Sequence, residues 1–462
     1  MPYKNEVAGK GGHSDIVKNP DIADFLKHCS YMKTPSEEEA AKIVSSFISA
    51  DVSTTLPALV IASDASKFSD PIQGKFPSTQ IGYVKVSLVC VKVEDFNGLV
   101  SPNSHYVDPF KVAEMHKNAG VASFVLPGSN ITYKNASSVT NGFRLAVYES
   151  LSSNKTVCFP APQDYSLKNF LHKLNDIANS PLLLIKNCPS CNEILHPTSS
   201  EGVVFSKANE VIQCPHCSEH VYCTDALRLH EDISDFGENT SSITRFMNAV
   251  EHLIVAAFIN YVADINPKVL SDLAFIVDGP LAIFGQPARL HSRLMAFYHN
   301  INQTLKDQGF NPPIIMGLQK TGQVMEHAQA LSQFIKPNTY RLVDDDYRFL
   351  YIKGGSLNTG NFGHETYYGQ DFIYKTKKGS IFVLGIPYPF EKKLRQSDFA
   401  KQKISIDCYA SHLKRAFKII EHFEFDLYEN SVIPIALAHR HASISLTPGG
   451  KVLEILSRKN LG

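Results

Sequence analysis

The sequence has no excess of charge of either sign, since Lys and Arg together number 45 and Asp and Glu together also number 45. This balance argues against a protein that is coated in Lys and Arg and binds nucleic acid unaided. It leaves open a local basic channel, or a partner that delivers the nucleic acid. The N-terminal residues show no signal-peptide pattern, and the longest apolar helical run, around residues 253–262, is too short to span a bilayer. We therefore expect a cytoplasmic protein.

The chain also lacks internal repeats, low-complexity tracts and long runs of charge. It contains no phosphate-binding Gly-x4-Gly-Lys-Ser/Thr motif, so any ATP hydrolysis must come from a partner. Its 462 residues are too many for one ordinary core, which predicts two or three domains. Apolar runs typical of strands interleave with helical patterns throughout, and this predicts an α/β or mixed α+β fold.

Four of the nine cysteines are strongly patterned. Cys188 and Cys191 form one Cys-x2-Cys pair, and after 22 residues Cys214 and Cys217 form a second pair. Each pair can direct two sulfurs at one ion, so the spacing predicts a structural zinc site with no open position for chemistry. Disulfides are a weak alternative in a reducing compartment, and a redox role would make the second pair a coincidence. Four further residues could replace a ligand: Cys223, His196, His216 and His220.

Two short apolar runs predict buried strands, and each run ends in an acid. The acids are Asp64 and Asp278. A carboxylate at the end of a buried strand is costly unless it is paired or binds a metal. The two acids therefore predict one metal site on one sheet. The alternative is that each aspartate caps the helix or turn that follows it.

Glu251 is a third acid of interest, because its helical neighbours Met247, Ile254, Val255 and Phe258 are all apolar. A solvated glutamate usually has polar neighbours, so this pattern places the carboxylate on or beside the helix face that is turned toward the sheet. The alternative is a boundary residue whose side chain reaches solvent. Three other acids compete with it for the same role: Asp264, Glu231 and Asp232.

His439, Arg440 and His441 form a basic cluster after an apolar run. A lone histidine in such a run is usually packed or hydrogen-bonded. A basic cluster near an acidic metal site could instead bind phosphate or transfer a proton. His439 and His441 are both candidates.

The organisation of the chain follows from these features. Residues 1–50 predict a helical N-terminal lead-in, with a helix over residues 40–50. Residues 51–182 and 226–462 are expected to form two parts of one catalytic core, because the two acidic strands lie on either side of the cysteine segment. Residues 183–225 would then be an insertion that holds the zinc. Further elements are predicted as strands at 81–93 and 313–320, and as helices at 242–263, 288–306, 412–422 and 434–443.

The order of these motifs resembles the NurA nuclease family, in particular its longer bacterial members. The matching segments span about residues 55 to 445, and they are 60–66 with Asp64, the helix with Glu251, 275–281 with Asp278, 315–320 with Lys320, and 434–439 with His439. The sequence departs from the family pattern in two places. Asp64 is followed by Ala-Ser where Gly-Ser is more usual, and Ser431 stands near the position of a tyrosine that usually precedes the histidine.

The resemblance implies a ribonuclease H-like nuclease core with an inserted zinc-ribbon-like module. It also implies a manganese-dependent deoxyribonuclease that forms a homodimer and works with a HerA-type hexameric ATPase, which translocates DNA. Relatives act in DNA end processing and repair, and some resemble antiviral defence systems. Asp64, Glu251 and Asp278 would hold one or two Mn²⁺ or Mg²⁺ ions. His439 would position or protonate the phosphate, and Lys320 would offset charge.

A competing interpretation comes from another class of protein. The chain could be a non-catalytic nucleic-acid-binding or adaptor protein, with a degenerate nuclease fold and a zinc ribbon that contacts DNA or a partner. Metal-dependent cleavage by the purified protein distinguishes the two interpretations.

Overall fold

The computed structural model describes residues 35–69, 71–72, 79–99, 108–177, 181–196, 201–353, 355, 362–425, 430–444 and 449–460. The N-terminal part of the predicted lead-in, residues 1–34, lies outside the described residues. Helix α1, Glu37–Val44, begins after Ser36, whose hydroxyl accepts a hydrogen bond from the Glu39 N–H. The helix predicted for residues 40–50 is wrong in its last part, because residues 48–49 form a strand that pairs with Tyr340 and Thr339.

Thirteen strands occur in the described part of the chain. They are β1 (Ile48–Ser49), β2 (Leu59–Phe68), β3 (Ile81–Lys92), β4 (Ala119–Pro127), β5 (Leu184–Ile185), β6 (Val203–Val204), β7 (Val211–Gln213), β8 (His220–Tyr222), β9 (Leu273–Asp278), β10 (Ile314–Gln319), β11 (Thr339–Leu342), β12 (Gly369–Lys375) and β13 (Ile381–Pro387). Nine of them form one mixed sheet in the order β1-β11-β12-β13-β10-β9-β2-β3-β4, while β5 pairs with β6 and β7 with β8. The mixed α/β class predicted from the sequence is confirmed.

The helices lie before, between and after these strands. They are α1, α2 (Val93–Asn97), α3 (Pro109–Lys117), α4 (Val139–Ser152), α5 (Leu167–Asp176), α6 (Thr240–Ile265), α7 (Leu290–Asp307), α8 (Gln323–Ala330), α9 (Asp345–Tyr347), α10 (Gln396–Gln402), α11 (Ala410–Phe423), α12 (Ile433–Ala442) and α13 (Gly449–Asn460). The predicted strands at 81–93 and 313–320 and the helices from residue 242 onward agree with the structure to within about two residues at each end.

The centre of the sheet combines two strand directions. β2, β3 and β4 form an antiparallel meander, and β9 and β10 extend the sheet parallel to β2. Because these central strands are apolar and buried, they place the main hydrophobic core on both faces of the sheet. A second apolar cluster packs where α1 and α8 cover β12 and β13.

Two helices cover opposite faces of β2 and β3. Side chains alternate along a strand, so Ser63 and Asp64 point to opposite faces. α6 lies on the Ser63 face, where its Ile243 packs against Gly82 so closely that a side chain at Gly82 would collide with it. α12 lies on the Asp64 face, where the Ser87 hydroxyl donates a hydrogen bond to the Ala438 carbonyl. The candidate site is built between these layers.

Helix α6 is longer than the apolar run that the sequence analysis singled out. It has 26 residues, and by length and composition alone it could cross a membrane, but 67% of its most apolar window is buried inside the fold. It packs against β2, β3, β9 and α7. These contacts are those of a core helix.

Candidate active site

Asp64 lies inside β2, at the point where that strand parts from β9. The last registered pair of the two parallel strands is Ser63 and Val277, so the residues that follow, Asp64 and Asp278, lie side by side on the same face. β2 itself continues to Phe68 in contact with β3, so Asp64 is not at the strand end that the sequence predicted. The carboxylate is buried, and its Oδ1 accepts a hydrogen bond of 2.8 Å from the Ala65 N–H.

Asp278 is the last residue of β9 and lies beside the end of β10. Gly279 follows with φ of 106°, a left-handed conformation that favours glycine and turns the chain away from the sheet. Lys320, one residue beyond β10, donates a hydrogen bond of 2.7 Å from Nζ to Asp278 Oδ2. Burial raises the pKa of Asp278 to about 6; Lys320 opposes this rise, and the negative charge of Asp64 adds to it.

His439 reaches the same place from α12. The helix begins with Pro434 in its first turn, and the bond from Ser87 fixes its Ala438 carbonyl against β3. His439 Nδ1 lies 2.6 Å from Asp64 Oδ2. About half of the His439 side chain, 54%, is exposed, whereas that of Asp64 is 6% exposed. The imidazole therefore joins a buried carboxylate to solvent.

Three side chains thus converge. One ligand atom each from Asp64, Asp278 and His439 lies within 4.8 Å of the other two. Two carboxylate oxygens and one imidazole nitrogen at this separation could hold a metal ion. The set is open to solvent on the histidine side, so a substrate group can approach it.

Glu251 is brought near these residues but does not join their ligand group, which in the described part of the chain consists of Asp64, Asp278 and His439. The Glu251 side chain is buried on the α6 face of the sheet, where the Ser63 hydroxyl donates a hydrogen bond of 3.2 Å to its Oε1. Burial, and then the charges of Asp64 and Asp278, raise the pKa of Glu251 well above its usual value. The apolar neighbours of Glu251 in the sequence predicted this buried position.

The competing acids lie in other ion pairs. Asp264 pairs with Lys173, Glu231 with Arg228, and Asp232 with Arg245. Each pair already supplies a cation to the carboxylate. Of the two candidate histidines, His439 is the one that joins the ligand group.

The four patterned cysteines form a second group of possible ligands. The sulfurs of Cys188, Cys191, Cys214 and Cys217 all lie within 4.8 Å of one another. The Sγ atoms of Cys188 and Cys217 are 3.7 Å apart, as are those of Cys191 and Cys214. A closed set of four thiols could bind a structural metal. Cys223 is buried outside this set, and none of the described residues His196, His216 and His220 belongs to it.

The two cysteine turns have the same backbone geometry. In the first, the Cys188 N–H donates to the Glu193 carbonyl and the Asn192 N–H to the Cys188 carbonyl. In the second, Cys214 makes the corresponding bonds with Glu219 and Ser218. Asn192 and Ser218 both have positive φ, 64° and 60°. This repetition directs two pairs of sulfurs at a common centre.

Arg144 of α4 attaches the cysteine segment to the sheet domain. Its guanidinium forms a buried ion pair of 2.6 Å with Asp225. It also donates hydrogen bonds to the His220 carbonyl at 2.6 Å and to the Ser190 hydroxyl at 2.8 Å. The partners lie on both sides of the second cysteine turn, so the segment is held in a fixed orientation.

Sequence reasoning missed Ser63, which contacts Glu251 from the neighbouring strand. The signal for it was present, because strand alternation turns the residue before Asp64 to the opposite face, where a helix carrying Glu251 was expected.

Comparisons with known proteins give few matches. No model of a known protein family matches the sequence, and no curated protein matches it. One similar solved structure is the crystal structure of the NurA nuclease from Sulfolobus solfataricus, with 8% identity, coverage of 97% of this chain and 94% of that chain, and a TM-score of 0.35. Another is a crystal structure of NurA, with 11% identity, coverage of 98% of both chains and a TM-score of 0.31. Both are structures of NurA, the family that the motifs of this sequence resemble.

Proposed function

We propose that this protein is a metal-dependent deoxyribonuclease of the NurA type, which hydrolyses phosphodiester bonds in DNA. The observation that carries the proposal is the convergence of Asp64, Asp278 and His439, whose ligand atoms lie within 4.8 Å of one another. These residues come from β2, β9 and α12, three elements that are far apart in the sequence. Packing alone does not account for two adjacent carboxylates on a buried sheet, because their repulsion and burial both cost free energy.

The residues fit a hard divalent cation. Burial raises the pKa of Asp278 to about 6, and the negative charge of Asp64 adds to the rise, so Lys320 does not fully offset the burial of this carboxylate. Oxygen-rich ligation suits Mn²⁺ or Mg²⁺ better than Zn²⁺. Asp64 and Asp278 would hold the ion, with Glu251 as a further ligand or a nearby acid, and His439 would stay available to act on the phosphate. When bound, such an ion supplies charge neutralisation at the phosphate and activation of water.

The side chains orient the phosphate, donate a proton and neutralise charge. Asp64 orients the imidazole of His439 through Nδ1, which leaves Nε2 directed away from the carboxylate. His439 can then position the phosphate or donate a proton to it. Lys320 keeps Asp278 in place and offsets negative charge as the phosphate arrives. Ser63 holds the carboxylate of Glu251 on the α6 face of the sheet through a hydrogen bond from its hydroxyl group.

We assign the core to the ribonuclease H-like class. Support comes from the strand order β4-β3-β2-β9-β10, in which an antiparallel meander of three strands is followed by two strands parallel to the first of them. Residues 51–182 supply β2 to β4, and residues 226–462 supply β9 and β10. One sheet made from both segments supports a discontinuous core with residues 183–225 as an inserted zinc-ribbon-like module.

The metal of the four-cysteine group is proposed to be Zn²⁺, bound for stability and not for reaction. Support comes from the closed set of four sulfurs, which leaves no position for a substrate. Cys188, Cys191, Cys214 and Cys217 would be its ligands.

The proposed partners are DNA, a second copy of the chain and a HerA-type hexameric ATPase that drives DNA through the nuclease. The setting would be cytoplasmic, in DNA end processing, repair or antiviral defence. The balanced charge and the missing phosphate-binding motif in the sequence support a division of labour between nuclease and motor. Light scattering should give the mass of a homodimer, and long linear duplex should be degraded processively only when the ATPase and ATP are added. A monomer that digests long duplex processively alone would contradict this part of the proposal.

The nuclease proposal is tested by incubating the purified protein with labelled single-stranded and duplex DNA in Mn²⁺, in Mg²⁺ and in excess chelator. Cleavage is expected with Mn²⁺ and is expected to stop with the chelator. The Asp278→Asn variant, prepared in parallel, should be inactive and should exclude a contaminating nuclease. Stable DNA binding without cleavage in any metal would instead favour the non-catalytic adaptor.

A further inference from the structure

A groove with a volume of about 990 Å³ lies between the start of α7 and the segment after β13. We call it the arginine groove. It is separate from the Asp64–Asp278–His439 group, since none of those three residues lines it. Its cationic lining residues are Arg228, Arg289, Arg293, Lys392, Lys393 and Arg395.

Two of these cations already bind other groups of the protein. Arg228 forms a two-point ion pair with Glu231, at 2.6 and 2.8 Å. Lys393 donates hydrogen bonds to three carbonyls, those of Gly363, His364 and Tyr367. Burial lowers the pKa of Lys393 to about 7. These two residues shape the groove and contribute little to its potential.

The remaining cations give the groove its charge. Arg289, Lys392 and Arg395 are exposed, and their side chains have no hydrogen bond or ion pair with another residue in the described part of the chain. Arg293 lies deeper in the groove and already has a partner within the structure.

Two carboxylates, Glu365 and Glu391, also line the groove. They do not cancel the three exposed cations Arg289, Lys392 and Arg395, so the groove is positive in a chain whose total charge is zero. A local excess of guanidinium groups is the surface that binds phosphate, because each guanidinium can donate two parallel hydrogen bonds to it.

The groove adjoins the four-cysteine segment. Arg228 and Arg289 line both the groove and a second recess of about 550 Å³, whose wall includes Cys188 and Pro189. A ligand that follows the groove would therefore pass from α7 onto the cysteine segment. A long polyanion has this shape, whereas a single small anion would use only one part of the surface.

We propose that the arginine groove binds the phosphate backbone of DNA away from the reaction centre, with the cysteine segment as one wall of the track. The proposal rests on the proposed nuclease function and adds to it a site that holds the substrate during cleavage.

A DNA duplex is long enough to extend from the reaction centre to the arginine groove. Arg289 is eleven residues after Asp278 in the sequence, so their Cα atoms are at most about 40 Å apart. A duplex rises about 3.4 Å per base pair, and about 12 base pairs would cover that distance. A 30-base-pair substrate is therefore long enough to span both places.

The test compares the wild-type protein with the Arg289→Ala/Arg395→Ala variant in binding a labelled 30-base-pair duplex in chelator, where no cleavage occurs. The affinity should fall by about tenfold, and the slope of log K against log salt should become shallower by about 2, since two phosphate contacts are lost. The control variant Lys42→Ala/Lys336→Ala removes two exposed charges outside the groove and should bind like wild type. Cleavage at saturating DNA and Mn²⁺ should be the same in all three proteins.

Equal affinity and equal salt slope for the groove variant and the control would overturn the proposal. So would a groove variant with unchanged DNA affinity that no longer binds a poly-glutamate peptide bound by wild type, because the surface would then serve an acidic protein. The result is independent of the nuclease assay. Loss of DNA affinity in a protein that never cleaves would refute the proposed function alone, and cleavage with no effect of the groove variant would refute the groove alone.

Discussion

The Nδ1 atom of His439 lies 2.6 Å from Oδ2 of Asp64, although the two residues are 375 positions apart in the sequence. The contact joins the last part of the chain to the first strand of the central meander. It also fixes which ring nitrogen faces the carboxylate. Helix α12 is therefore part of the candidate site.

The first prediction separates the two candidate histidines. His439→Ala should lower kcat/KM for DNA cleavage by roughly 100-fold, which is typical for the loss of a positioned acid or base. His441→Ala, two residues later on the same helix, should stay within a few-fold of wild type. Thermal melting of both variants checks that the helix remains folded. The reverse order of effects would show that His439 is only a packing residue.

The second prediction concerns the two aspartates. Asp64→Ala and Asp278→Ala should each abolish cleavage at saturating Mn²⁺ without unfolding the protein, because each removes a ligand atom from the same group. Asp264→Ala is a matched control, since Asp264, near the end of α6, pairs with the exposed Lys173 of α5. Full activity in either Asp64→Ala or Asp278→Ala would rule out this site.

The third prediction concerns the stability of the metal-free protein at different pH. The pKa of Asp278 is raised from 3.8 to about 6 in the folded state, so between these values the folded protein holds a proton that the unfolded chain has released. The stabilising contribution of Asp278 to the free energy of unfolding is therefore fully present below about pH 4, and it is lost as the pH rises through 6. In chelator at pH 7 to 8, Asp278→Asn should raise the Tm, and the free energy of unfolding should increase by at most about 3 kcal/mol. At pH 4 the Tm should change little. A Tm that falls at pH 7 would contradict the prediction.

The fourth prediction concerns the cysteine segment. Elemental analysis of protein purified without added metal should find about one zinc per chain. The Cys188→Ser/Cys214→Ser variant should lose it and melt earlier, because a closed structural site contributes folding free energy directly. Cys408→Ser, an exposed cysteine outside the group, should keep the zinc. Less than about half an equivalent in wild type would count against the site.

The fifth prediction concerns Ser63. Its hydroxyl donates to Glu251 and works against the rise in the pKa of that acid. Ser63→Ala should therefore raise the pKa of Glu251 further and shift the pH–rate profile of cleavage to higher pH. Ser63→Thr keeps the hydroxyl and should restore the wild-type profile. A uniform loss of rate at every pH would indicate a packing defect instead.

The elements that the sequence predicted well are those whose pattern is local. The apolar runs before Asp64 and Asp278 and the knuckle spacing of the cysteines depend on neighbouring residues, and they led to the two groups of possible metal ligands. The apolar neighbours of Glu251 likewise showed that it would be buried. Local patterns failed at residues 45–50, where pairing with the distant β11 replaces the end of a predicted helix.

The contacts within the site could not be predicted from the sequence. The choice between His439 and His441 depends on how α12 is rotated over β3, which the Ser87 bond helps to fix. The bond between Lys320 and Asp278 depends on β10 lying next to β9 in parallel register. The arginine groove had no signal either, because its cations come from segments about 100 residues apart in a chain of balanced charge.

The most direct test of the central claim is a crystal structure of the protein grown with MnCl₂, with anomalous diffraction measured to locate the manganese. The strongest manganese peak should lie between Asp64, Asp278 and His439, within roughly 2.0 to 2.6 Å of a carboxylate oxygen of each aspartate, and it should be absent from Asp278→Asn crystals. A strong manganese peak elsewhere on the chain, with none at these three residues, would contradict the assignment of this site as the nuclease centre.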